Sequence, residues 1–237
     1  MIYIRSILFN IFFYLGISFV FIIALPTLVL PPKFALFFGK VLGHYVILLL
    51  KLILKTKVEF KETKQIPTRN FFVASSHQSI FETFVLQTII KNPIFILKKE
   101  LLKIPLFGRY LKKIGCIEIV RNTTTRDNLG FFDRIKNSVV KNQRPLIIFP
   151  QGTRTKYDEY LPFKKGVAKM YEILNITCLP IAHNSGKVWP KKGFLKYPGK
   201  ITISILKPIE PGLDGKNFTK LLENKIYNEI KKISLKD

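Results

Sequence analysis

Acidic residues are scarce. The chain has 15 Asp and Glu against 39 Lys and Arg in 237 residues, a formal net charge of +24. Such a surface suits an acidic partner: anionic lipid headgroups, nucleic acid, or an acidic protein or substrate. Lys supplies 31 of the 39 basic residues, a bias that AT-rich coding drift also produces. Cysteine is almost missing. Cys116 and Cys178 alone exclude a disulfide framework and a Cys-rich zinc site, and they fit a reducing compartment. His44, His77 and His183 are far apart in sequence, which leaves little room for a metal centre built on His pairs. There is no internal repeat and no low-complexity linker. Disorder is excluded too, because 48% of residues are hydrophobic and 21 are Phe, ample material for a core.

The length corresponds to one or two domains at about 150 residues each. Residues 6–32 carry no charged side chain, and residues 7–30 form a 24-residue apolar stretch. As a helix it would be about 36 Å long at about 1.5 Å per residue, enough for a hydrocarbon core about 30 Å thick. It is too long for a signal-peptide core and lacks an A-x-A cleavage site, so it reads as a retained anchor. Pro26 would kink it near its end, and Pro31-Pro32 ends it. A second apolar segment covers about 34–54. Lys40, His44, Lys51 and Lys55 lie along one narrow stripe of it at helical spacing. That pattern suits a helix at the membrane interface with Lys stems reaching the headgroups, or a helix packed on a globular domain. Only Arg5 precedes the first run, so the positive-inside rule puts the chain beyond Lys33 in the cytoplasm.

Beyond about residue 57 short β-like runs alternate with helical ones. Strands are predicted at 71–75, 94–98, 116–120, 145–149, 177–182 and 201–206. Helices are predicted at 80–91, 100–113, 125–142, 165–175 and 217–233. This alternation predicts an α/β fold with a mostly parallel central sheet flanked by helices, preceded by a two-helix membrane motif. The turn Lys196-Tyr197-Pro198-Gly199 predicts a hairpin between the last strands. The domains are then 1–56, membrane-anchoring helices, and 57–237, the α/β domain.

Four constellations bear chemistry. In the first, His77 follows a strand and Glu82 lies five residues on, in the first turn of a helix. Strand carboxyl ends are where α/β folds build sites. A His there acts as a general base, and a carboxylate reaching back fixes its tautomer. Ser79-x-x-Glu82 is equally a capping-box signature, and the two roles are compatible. In the second, Phe149-Pro150-Gln151-Gly152-Thr153-Arg154 follows a strong strand, a turn suited to cradling phosphate with backbone N–H groups and a guanidinium. The third, residues 115–121, is a strand that delivers Arg121 at its end. The fourth is Lys98-Lys99-Glu100-Leu101, also at a strand end. A charged group at a strand end is more often simply solvated.

Their combination and order over residues 70–186 resemble one family: the 1-acyl-sn-glycerol-3-phosphate acyltransferases of the glycerolipid acyltransferase superfamily. The resemblance rests on His-x4-acid, KKEL with Pro105 and Gly108 after it, G-x5-R, F-P-x-G-T-R and Leu179-Pro180. It implies that His77 is the catalytic base and that Glu82, where the family usually has Asp, orients it. It implies that Arg121, Gly152, Thr153, Arg154 and Lys98 bind the acceptor and its phosphate. Gln151 replaces the usual Glu and would hydrogen-bond a glycerol hydroxyl without charge. Pro180 matches the proline of the family's fourth motif. The implied reaction is transfer from an acyl thioester, acyl-CoA or acyl carrier protein, to the sn-2 hydroxyl of lysophosphatidate, making phosphatidate. The sn-2 oxygen attacks directly, so no Ser or Cys nucleophile, metal or cofactor is implied, and the two cysteines read as core residues. The implied partners are membrane lipid and an anionic bilayer surface rather than nucleic acid. The implied location is the bacterial inner membrane, with the catalytic domain on the cytoplasmic side. Hydropathy favours a crossing by residues 7–30, whereas the family's helix pair dips into one leaflet. Two alternatives stand beside this reading. One is acyl transfer to glycerol-3-phosphate, a lyso-ornithine lipid or another lysophospholipid. The other is a non-enzymatic basic module on membranes or nucleic acid.

Overall fold

The structure, a computed structural model, describes residues 1–119 and 130–235. The first apolar run folds as helix α1, Ile2–Ile23, followed by a 3-10 turn at Leu25–Leu28 that contains Pro26. Helix α2, Pro32–Leu52, starts with its proline in the first turn, where the missing N–H costs nothing. Both helices are long and apolar enough to cross a membrane. His44 and Lys51 of the polar stripe are exposed, and the opposite face of α2 buries Leu42, Val46, Leu49 and Leu50. Lys55 lies beyond the end of this helix.

Among the described residues seven strands make up the sheet: β1 Lys57–Lys61, β2 Phe71–Ser75, β3 Ile94–Lys98, β4 Ile117–Ile119, β5 Leu146–Ile148, β6 Thr177–His183 and β7 Lys200–Ile205. Their order across it is β1-β7-β6-β2-β5-β3-β4. Every neighbouring pair is parallel except β6 and β7. The remaining helices are α3 Phe81–Ile89, α4 Phe107–Lys113, α5 Phe131–Lys136, α6 Lys165–Leu174, α7 Ser185–Val188 and α8 Gly215–Ser234.

Both faces of the sheet are covered, which explains the near-continuous apolar runs of the central strands. Alternate residues divide between the faces. Phe72 and Ala74 of β2, Leu146 and Ile148 of β5, and Cys178 and Ala182 of β6 meet α5, α6 and α8. Phe71, Val73, Ile147, Leu179 and Ile181 face the other way, onto α3 and onto Phe9, Phe13, Val46 and Leu50 of the first two helices. Asp214 caps α8 by accepting from the Lys216 and Asn217 amides.

Four expectations are corrected. Strand β1 has no counterpart among the predicted strands: Lys57, Glu59 and Lys61 leave it two apolar residues, enough for an edge strand beside β7. Strands β6 and β7 pair antiparallel, but not through a tight hairpin. Residues 184–199 connect them and include α7. The helix expected at 100–113 is split into a 3-10 turn at Lys99–Lys103 and α4, separated by Pro105 and by Leu106 at φ +63. The helix expected at 125–142 starts at Phe131 and ends in a π turn, Asn137–Lys141; residues 125–129 lie outside the described part.

Candidate active site

The carboxyl ends of β6, β2, β5 and β3 lie side by side because these four strands are parallel neighbours. Each delivers part of the site. Strand β2 leads into His77 and, through a short loop, into α3 with Glu82 in its first turn. Strand β5 leads into the Pro150–Arg154 turn, where Gly152 adopts φ +69, a left-handed conformation that favours glycine. Strand β3 ends at Lys98. Strand β6 ends at His183, followed by Asn184 and Ser185.

His77 and Glu82 touch. Nδ1 of His77 lies 2.8 Å from Oε1 of Glu82. That same oxygen accepts from the Gln78 and Ser79 amides at 2.7 and 2.8 Å, while Ser79 Oγ accepts from the Phe81 amide. One carboxylate oxygen therefore gathers the two loop amides ahead of α3 and holds the imidazole. Glu82 is 0% exposed. Burial pushes a carboxyl pKa up, but the imidazoles of His183 and His77 and the Ser79 amide outweigh it and bring Glu82 down to about 2. The hydrogen bonds from His77 and the two amides matter most at neutral pH, because burial pulls His183 toward its neutral form. An ionised Glu82 accepts only, so Nδ1 of His77 carries the proton and Nε2 keeps its lone pair. The ring, 17% exposed, stacks on Phe149 at 4.0 Å between centroids.

His77 opens onto a cavity of about 920 Å³. Its walls are largely apolar, with Phe84, Leu97, Phe131, Val167 and Met170 among them. Lys98, Gly152, Thr153, Arg154 and Lys164 are among its polar lining, with Thr83 and Gln87 of α3. The structure thus brings together His77, Glu82, Lys98, Gly152, Thr153 and Arg154. Gln151 does not line this cavity. It is 1% exposed and faces Tyr227 of α8, and its Oε1 has no partner among the described residues. The residue expected at a glycerol hydroxyl therefore points its side chain away from this cavity. Arg121 lies outside the described residues. Burial raises the Cys116 thiol pKa to about 11 and that of Cys178 well above the ordinary value, so both behave as core residues.

Sequence reasoning missed three contributors. His183 Nε2 lies 2.8 Å from the Ser76 carbonyl, Ser185 Oγ donates to Glu82 Oε2 at 3.0 Å, and the Gly186 amide donates to Gln78 Oε1 at 3.0 Å. Their only sequence signal is a polar run, His183-Asn184-Ser185, directly after an apolar strand. Thr155 adds a fourth tie: its amide donates to the His77 carbonyl at 2.7 Å, joining the two loops of the site.

Comparison with known proteins agrees with this architecture. The protein is 32% identical over 164 residues to the 1-acyl-sn-glycerol-3-phosphate acyltransferase of Pseudomonas aeruginosa, covering 68% of this chain and 63% of that one. It is 29% identical over 182 residues to the Helicobacter pylori protein of the same name, covering 75% of each. A relative of that name from Cocos nucifera is 28% identical over 174 residues, 73% of this chain and 56% of its own. The chain thus spans less than two thirds of two of these relatives. The fold matches the crystal structure of the 1-acyl-sn-glycerophosphate (LPA) acyltransferase PlsC from Thermotoga maritima, with a TM-score of 0.82 at 22% identity over 99% of this chain and 98% of that one. The Acyltransferase family model matches residues 57–184, the segment that carries the dyad, the Gly152–Arg154 turn and the strand ends around them; the chain belongs to the acyltransferase family.

Proposed function

We propose that this protein transfers an acyl chain from a thioester to the sn-2 hydroxyl of 1-acyl-sn-glycerol-3-phosphate, forming phosphatidate. The observation that carries the reading is the His77–Glu82 pair at the mouth of an apolar cavity that also holds Arg154 and Lys98. The names of the relatives in Pseudomonas and Helicobacter support the same acceptor.

In this reading Arg154 and Lys98, with Arg121, clamp the acceptor phosphate. The guanidinium offers paired donors and Lys a point charge. Nε2 of His77 takes the proton of the sn-2 hydroxyl as its oxygen attacks the thioester carbonyl. Glu82 stabilises the imidazolium that forms. The tetrahedral intermediate collapses, the C–S bond breaks, and the leaving thiolate takes the proton back from Nε2. The apolar cavity accepts an acyl chain, and its dry walls strengthen every charge interaction inside. Acyl-CoA and acyl carrier protein are both acidic donors suited to a chain of net charge +24.

We read residues 1–56 as the anchor and 57–237 as the catalytic domain, with the break between α2 and β1. The contacts of α1 support immersion in one leaflet rather than a crossing. Ser6 bonds to Lys196, and Phe21 stacks on Tyr110 and accepts from its hydroxyl. Fifteen residues of helix between these points span about 22 Å, so α1 lies along the domain. A crossing would drag the charged groups of that surface into hydrocarbon. The partner surface is then an anionic bilayer, and the site faces the cytoplasmic leaflet of a bacterial inner membrane.

The test is acyl transfer by membranes containing the full chain, supplied with lysophosphatidate and either acyl-CoA or acyl carrier protein. Glycerol-3-phosphate and lyso-ornithine lipid serve as parallel acceptors. Phosphatidate formation that falls by about 10²–10⁴ in His77→Ala, with folding intact, supports the reading. Acylation of another acceptor instead overturns the substrate, and no acylation of any acceptor overturns the function.

A further inference from the structure

We propose that Ser185 is a positioning residue of the His77–Glu82 dyad: its hydroxyl holds the Glu82 carboxylate by Oε2 in the rotation that presents Oε1 to His77. The inference rests on the acyl-transfer reading above and deepens it.

The bonds on the two carboxylate oxygens differ in origin. Oε1 accepts from His77, Gln78 and Ser79, all in one local loop. Oε2 accepts from Ser185 at 3.0 Å, 103 positions away in sequence. The last torsion of a Glu side chain is soft and close to two-fold. Local donors on one oxygen leave a half-turn that exchanges Oε1 for Oε2 nearly neutral. A donor fixed on the far side makes the two oxygens inequivalent.

Ser185 is itself fixed. Asn184, before it, accepts from the Thr202 amide of β7 at 2.8 Å. His183 Nε2 lies 2.8 Å from the Ser76 carbonyl, so Nε2 carries hydrogen, and Nδ1 accepts from the Ser185 amide at 3.4 Å. Gly186, after it, donates to Gln78. Residues 183–186 therefore grip residues 76–82 at three points, and Ser76, Gln78, Glu82, His183 and Ser185 are all buried. Without the hydroxyl, Oε2 would be a charged acceptor left buried and without that donor, a loss that bonds to ions make larger than neutral ones do.

Because Ser185 acts on the charge of Glu82, its removal has a signature that loosened packing lacks. A carboxylate that has lost a donor holds the protons of His77 more tightly, so the acid limb of kcat/KM moves to higher pH. The titratable groups facing Glu82 are His77 and His183; Lys98, Arg154 and Lys164 line the cavity beyond His77.

The experiment compares wild type, Ser185→Ala and Ser185→Thr as full chains in detergent, with and without Glu82→Asp. Ser185→Ala is expected to lower kcat about tenfold to a hundredfold, with KM for both substrates unchanged and the acid limb displaced upward. Ser185→Thr, which keeps a hydroxyl, recovers part of the rate. In the Glu82→Asp background the shorter arm withdraws from Ser185, so the added cost of Ser185→Ala largely disappears. A full additional loss in that background, or wild-type kcat and pH profile in Ser185→Ala, overturns the proposal. A low-field proton resonance from Nδ1–H of His77, assigned by its loss in His77→Ala, gives a second readout independent of turnover. It shifts in Ser185→Ala if the proposal holds, and an unmoved resonance overturns it. If wild type acylates nothing, the functional reading fails while this resonance still decides the role of Ser185. If Ser185→Ala does not fold, Ser185→Cys, a weaker donor of similar size, replaces it in every arm.

Discussion

Glu82 performs two tasks with one oxygen, and that has a measurable cost in acid. Its folded pKa, about 2, lies below the ordinary 4.5 of a glutamate. A group depressed on folding contributes stability above its unfolded pKa and loses it as pH falls through the folded one. The window is therefore about pH 4 down to about 2, with the contribution fully present at neutral pH. Acid unfolding followed by circular dichroism should show this loss, and Glu82→Gln should remove most of it from that window. At the other wall of the cavity, Arg154→Ala is expected to raise KM for a phosphate-bearing acceptor about tenfold and leave KM for the acyl donor unchanged. Steady-state kinetics with each substrate varied checks this, and an unchanged acceptor KM removes Arg154 from the phosphate clamp. Much of the dyad was legible in the sequence. A five-residue spacing across a strand–helix junction limits how a carboxylate can meet an imidazole, and the two side chains do meet. The partners at and just beyond the end of β6 were not legible, because His183 and Ser185 reach residues 76–82 only once β6 pairs with β2. Gln151 is a different case. It follows Pro150 in a turn whose neighbours line the cavity, but its side chain turns inward to Tyr227, and no local pattern records that direction.

Elements explain why the site stays where it is. Helix α3, which starts at the dyad, rests on α2 through a close approach at Gly43. A Cβ placed there would come within 2.7 Å of the Phe84 carbonyl and 2.6 Å of a Thr88 methyl. Gly43→Val is expected to cost about 1–3 kcal/mol in stability, and thermal unfolding of the solubilised protein measures it. Activity should fall with it, since α3 carries Glu82. Most strand positions were legible, because runs such as Phe71–Ser75 are apolar, β-branched or aromatic and are bounded by turns. Their order in the sheet was not. Strand β1 joins β7 from the far end of the chain, and its ion pair from Glu59 to Lys200, at 2.8 Å, exists only once the two are neighbours. The π turn at Asn137–Lys141 also lacks a periodic signature, since its residues continue the preceding helix in composition.

At the scale of the molecule, two apolar helices and a strongly basic domain share one core. Phe9, Phe13, Leu49 and Leu50 pack in the same cluster as Phe71, Val73 and Ile181 of the sheet. The outer side of α1 shows Ile4, Ile7, Ile11, Leu15 and Phe19 to the surroundings, an exposed apolar stripe of the kind that marks a membrane or partner contact. Vesicles rich in anionic lipid should therefore bind the protein more tightly than neutral ones, and salt should shrink the difference without releasing the protein. Flotation across a salt series measures both, and equal binding to the two compositions would deny the charge any role. The contact that seats α1 also has an optical meaning. The single tryptophan, Trp189, lies edge-on to both Phe9 and Phe13 with centroids 5.0 Å apart, under the Lys196 ammonium. Its emission is a built-in gauge of whether the first helix is seated. A red shift on delipidation would reveal the helix lifting off before any strand of the sheet is lost, without a dye or a label.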